Sequence, residues 1–130
     1  MTTATRSAAG AYLFATATNS PAREIPDDGA RRVFDKAFRL VVRLRFKPRT
    51  SLAEIATSIA LAARRHPGLG VPVREAEMLI REALGERVPT ADITPAQLVT
   101  VHVLMFAVLV DEMALTDDEL AELIADAETA

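Results

Sequence analysis

The chain of 130 residues has no cysteine and no tryptophan, one tyrosine and two lysines. The missing cysteine excludes a disulfide scaffold, thiolate metal sites and cysteine catalysis. A formal charge of −3 excludes a globally basic nucleic-acid binder, though not a local basic patch. Strand-like alternation is also missing, and no internal repeat is visible. The longest apolar run, Leu98–Val110, contains Thr100 and His102 and ends at Asp111 and Glu112. As a helix it spans about 20 Å, against about 30 Å for a hydrocarbon core, so it reads as a buried core helix and not a membrane span.

What is present is one domain's length of sequence, half hydrophobic and a quarter charged, which excludes wholesale disorder. Thirteen of the fifteen basic residues are Arg, and Ala is the commonest residue. GC-rich codons account for both, and point to a bacterial source. That weakens any argument that Arg is chosen over Lys for bidentate anion binding.

Residues 1–27 are rich in Ala, Thr, Ser and Pro and read as a weakly structured N-terminal arm; residues 28–130 read as a single helical domain. The A-x-A at Ala15–Ala17 faintly resembles a secretory signal, but the apolar stretch is broken by Thr and preceded by a single Arg. A cytoplasmic protein is expected. Tyr12, Leu13 and Phe14 are three adjacent large apolar residues in the arm, which is expected to dock on the body or on another chain.

Five helices are predicted. Asp27 or Asp28 caps the first, Asp28 to about Phe46, which Pro48 ends. Val33, Phe34, Ala37, Phe38, Leu40, Val41 and Leu44 share its apolar arc, and Arg32, Lys36, Arg39, Arg43 and Lys47 the opposite stripe. Arg45 falls on the apolar arc, so it needs an acidic partner unless the helix ends there. Ser51 and Glu54 form a capping box for Leu52–Arg65, a helix expected to be largely enclosed. Pro72 opens Val73–Leu84, with Gly85 as its C′ residue. The boxes Thr94-Pro95-Ala96-Gln97 and Thr116-Asp117-Asp118-Glu119 start Pro95–Met113 and Asp117 to about Ala127. The expected fold is all-α, a compact bundle of about five helices around the central apolar helix 95–113.

The charge is segregated. Residues 31–49 carry eight bases and one acid, Asp35; residues 111–128 carry eight acids and no base. The two segments can face each other within the monomer. They can instead meet between protomers or on a partner, where complementary fields steer association. Or the basic stripe can bind nucleic acid or an anionic membrane surface. The candidate partner-binding residues are Arg32, Lys36, Arg39, Arg43, Glu119 and Glu122.

Catalytic signatures do not emerge. His102 lies within the apolar helix with Leu98 and Phe106 one turn either side, so it reads as a hydrogen-bonded core histidine and not a ligand. His66 reads as a helix-end residue. Gly68-Leu69-Gly70 is a turn without the strand or third glycine of a phosphate cradle, and the acidic residues near the C-terminus lack the order and glycine of a calcium loop. No catalytic, metal or cofactor-binding residue is assigned. Leu52–Arg65 and Val73–Leu84 have the flavour of a helix-turn-helix, but the connector is long and the second helix exposes Glu75, Glu77 and Glu82. The expected role is therefore a non-catalytic helical interaction or assembly module of the bacterial cytoplasm, partnered by a protein or by its own copies. A helix-turn-helix-like transcriptional regulator is the alternative.

Overall fold

A computed structural model describes Leu13 and residues 30–47, 50–65 and 72–129. Among these residues the structure is helix, turn and connector without strands: α1 Ala30–Arg45, α2 Leu52–Arg65, α3 Val73–Ala83, α4 Pro95–Glu112 and α5 Asp117–Glu128. Asp27, Asp28, Pro48, His66, the Gly68–Gly70 turn, Tyr12 and Phe14 lie outside the described residues.

Local chemistry fixes the helix ends. Thr94 Oγ1 accepts from the Gln97 amide at 3.2 Å while the Gln97 side chain accepts from the Thr94 amide at 2.9 Å, with Pro95 at N1. Thr116 and Glu119 make the same reciprocal pair at 3.1 and 2.9 Å. At α2 the Ser51 hydroxyl accepts from the Glu54 amide at 3.2 Å. The C-terminus of α3 closes as a Schellman motif: Glu86 N donates to Arg81 O at 3.1 Å and Gly85 N to Glu82 O at 2.9 Å. Gly85 sits at φ 98°, which glycine adopts without a Cβ penalty. The turn after α4 repeats the motif, with Leu115 N on Val110 O and Ala114 N on Asp111 O, but here an alanine takes the left-handed position at φ 52°.

The core follows from α1 and α4. On α1 the buried residues are Ala30, Phe34, Ala37, Phe38, Val41 and Val42, a stripe at helical spacing. On α4 nine residues are buried, on most sides of the helix. This is the one helix among the described residues long and apolar enough to cross a membrane, and half of it is buried inside the fold. α1 lies along α4 and α5, α3 packs on α1, α2 and α4, and α2 packs on α3. Leu13 is helical and fully buried in the same core.

Two expectations about enclosure fail. Leu44, placed on the apolar arc of α1, is 62% exposed, and α2 is an edge helix and not an enclosed one. Ile55, Ser58, Ile59 and Ala62 of α2 are buried, but Leu52 is 49% and Leu61 39% exposed, and Ala53, Thr57 and Ala60 also face solvent. A helical wheel reports which residues share a face; which face acquires a neighbour depends on how the helices are arranged in space.

Candidate functional site

A cleft of about 370 Å³ opens between α1, α3, α4 and the connector after α3. Its apolar wall is Leu79 of α3 with Pro95, Leu98 and Val99 of α4. The other wall is a chain of polar side chains contributed by four elements. Thr90 Oγ1 donates to Glu82 Oε2 at 3.3 Å, and Glu82 Oε1 accepts from Arg39 Nη2 at 2.8 Å. Arg39 Nε donates to Asp35 Oδ1 at 3.1 Å, one turn back on α1. That same carboxylate oxygen lies 3.6 Å from His102 Nε2, beyond hydrogen-bond length.

His102 is buried, 7% exposed, as the sequence predicts, with its ring 4.9 Å from that of Phe38. Desolvation by burial holds its pKa below the ordinary histidine value; the Asp35 charge opposes this, Arg39 reinforces it and Glu82 opposes it. The imidazole is therefore neutral at pH 7, able to accept a hydrogen bond at one nitrogen and donate at the other. Among the described residues no group of three His, Asp or Glu side chains could hold a metal ion. Ser58, a hydroxyl that a nucleophile hypothesis would use, lies elsewhere, donating to Glu112 Oε2 at 3.4 Å.

The residues expected to bind a partner are spread over two surfaces. Arg39 is held by Asp35 and Glu82, and Arg43 Nε donates to the Ala83 carbonyl at the C-terminus of α3, at 3.2 Å. A cation there meets the negative end of the helix dipole. Arg32 is exposed and Lys36 half-buried on the same helix. Glu119 and Glu122 are exposed on α5, and the Glu119 carboxylate closes its capping box. Among the described residues no ion pair joins the four basic residues to these two acids. The basic and acidic segments do meet at Arg45, whose Nη2 lies 3.1 Å from Glu112 Oε1 while its guanidinium lies 4.7 Å from the Phe46 ring centroid. This is the acidic partner that Arg45 needs.

α3 is the helix that the helix-turn-helix alternative would use as its reader. It packs against three neighbours, its Glu82 is tied to Arg39, and its Arg81 to Glu86 at 3.3 Å.

Sequence reasoning missed Asp35, Glu82 and Thr90 as members of one site. Asp35 carries the one signal that could have found it, as a lone acid within a run of bases. No protein-family model, curated protein or solved structure matches the chain.

Proposed function

We propose that the protein is a non-catalytic helical assembly module that pairs with a second copy of itself through the outer face of α2. The observation that carries this reading is the composition of that face: Ala53, Thr57, Ala60 and Leu61 are all exposed on one side of an edge helix. A helix apolar on both its inner and outer faces is stable in water when both are covered. The small residues Ala53 and Ala60 permit close approach of two backbones.

The charges at the two ends of this face favour a like partner. Glu54 is exposed near the N-terminus of α2 and Arg64 near its C-terminus. Two copies of α2 laid antiparallel bring Glu54 of one opposite Arg64 of the other, twice, by the two-fold symmetry of an isologous contact. Leu61 of each then lies against Thr57 of the other. Parallel pairing would set like charges side by side and lose both pairs.

Light scattering during gel filtration tests the reading. The chain should elute at twice its 14.0 kDa, and Leu61→Glu should bring it to monomer mass with unchanged helicity, since Leu61 is not part of the core. Glu54→Arg should weaken the dimer, and adding Arg64→Glu should restore it. A wild-type chain that stays monomeric at high micromolar concentration ends this reading. Retardation of nucleic acid by the monomeric variant would favour the regulator instead.

A further inference from the structure

We propose that the cleft bounded by His102, Asp35 and Glu82 binds a small organic ammonium carrying a compact apolar group. The argument starts from the acceptor positions left open on its polar wall. Asp35 and Glu82 share one guanidinium, that of Arg39, which reaches a single oxygen of each, and the second oxygen of Glu82 accepts from Thr90. A carboxylate offers about four lone-pair positions, so both retain acceptor capacity. Asp35 and Glu82 keep 44% and 32% of their side chains exposed, so an entering group can reach them.

His102 supplies the second, independent observation. It is a polar side chain more than nine-tenths buried that nonetheless lines the cleft, and its nearest carboxylate oxygen stands at 3.6 Å. A neutral imidazole beside a carboxylate presents acceptors that a primary ammonium, with three N–H donors, can bridge. Arg31, which also lines the cleft, is itself engaged, and Arg39 is already held by two carboxylates.

The opposite wall sets the rest of the ligand. Leu79, Leu98 and Val99 form an apolar surface facing a polar one, the usual composition of a small-molecule site. A volume of about 370 Å³ lies at the small end of such sites, which suits a ring or a short branched chain and not a polymer. α2 contributes no residue to the cleft, so this inference stands apart from the proposed pairing surface.

The test is an NMR titration of the full chain with cyclohexylammonium, beside cyclohexanol and cyclohexanecarboxylate as probes of the same shape. The expected result is saturable shifts of the His102 ring and of amides around Leu98 with the ammonium alone. Asp35→Asn should weaken binding about tenfold, the scale of one lost charged contact. Leu98→Trp, filling the cleft from its apolar side, should abolish binding while Asp35 and Arg39 remain paired. Circular dichroism checks that each variant is folded, and the monomeric Leu61→Glu protein should bind unchanged. Absence of saturable shifts up to about 10 mM, a range that covers millimolar affinities, overturns the proposal. So does equal or tighter binding of the carboxylate or the alcohol.

Discussion

Arg45 and Glu112, separated by 67 residues in sequence, meet at 3.1 Å and join the basic first helix to the acidic end of α4. The pair is part-buried, and Glu112 also accepts from the buried Ser58 hydroxyl. Removing Glu112 therefore strands two donors, whereas removing Arg45 leaves Ser58 with its acceptor. A double-mutant cycle of Arg45→Ala and Glu112→Ala in chemical denaturation should give a coupling of about 1 kcal/mol, with Glu112→Ala the costlier single change. The coupling should shrink with salt, because the pair is partly open to solvent.

The helix ends were legible in the sequence because capping is local. Thr94 with Gln97, Thr116 with Glu119 and Gly85 each act within a single turn, and the three helices they delimit begin or end within one residue of expectation. Lateral neighbours are not local. The exposure of Leu44 and the edge position of α2 depend on where α3 and α4 come to rest. The cleft was illegible for the same reason: Asp35, Glu82, Thr90 and His102 come from separate elements, and no spacing rule relates them. Arg45 lies between these cases, since the wheel shows that it needs a partner and only packing shows that the partner is Glu112.

Two turns of the same design should respond oppositely to the same kind of exchange. Ala114 occupies the left-handed position after α4 at φ 52°, where an alanine Cβ is penalised. Ala114→Gly should stabilise the fold by about 0.5–1 kcal/mol, the relief exceeding the added freedom of the unfolded chain. Gly85→Ala should destabilise by about 1 kcal/mol, and for backbone reasons alone, since a Cβ built there meets nothing within 4 Å. Thermal melts of the two variants should move in opposite directions.

His102 should make stability depend on pH. Its folded-state pKa lies below the ordinary 6.5 because burial disfavours the charged ring. Between the folded pKa and 6.5 the unfolded chain binds more protons than the native one, so stability rises with pH in that window. The full contribution is present above 6.5 and is lost as pH falls toward the folded value. Denaturant midpoints from pH 7.5 down to 5 should therefore decline, and His102→Leu should flatten the decline in this window. His102→Leu should otherwise be tolerated or mildly destabilising, since leucine keeps most of the apolar contact with Phe38. An unchanged pH slope in this variant would assign the acid sensitivity to other groups.

Leu13 decides how much of the N-terminal segment belongs to the folded body. Its side chain is fully buried among the core residues, whereas Leu44, of the same chemistry, stands mostly in solvent. Leu13→Ala should cost about 2–5 kcal/mol, the range for emptying a leucine site in a packed interior. Leu44→Ala should fall within about 0.5 kcal/mol of the wild type, as surface exchanges do. Removing residues 1–24 should then lower the denaturant midpoint by at least as much as Leu13→Ala, because it deletes the same side chain. Leu13 belongs to the core cluster and not to the α2 face proposed to pair, so Leu13→Ala should leave the mass of the folded fraction in light scattering unchanged. A truncated protein as stable as the full chain would show that the core closes over the space Leu13 fills, and that the segment before α1 contributes nothing to folding.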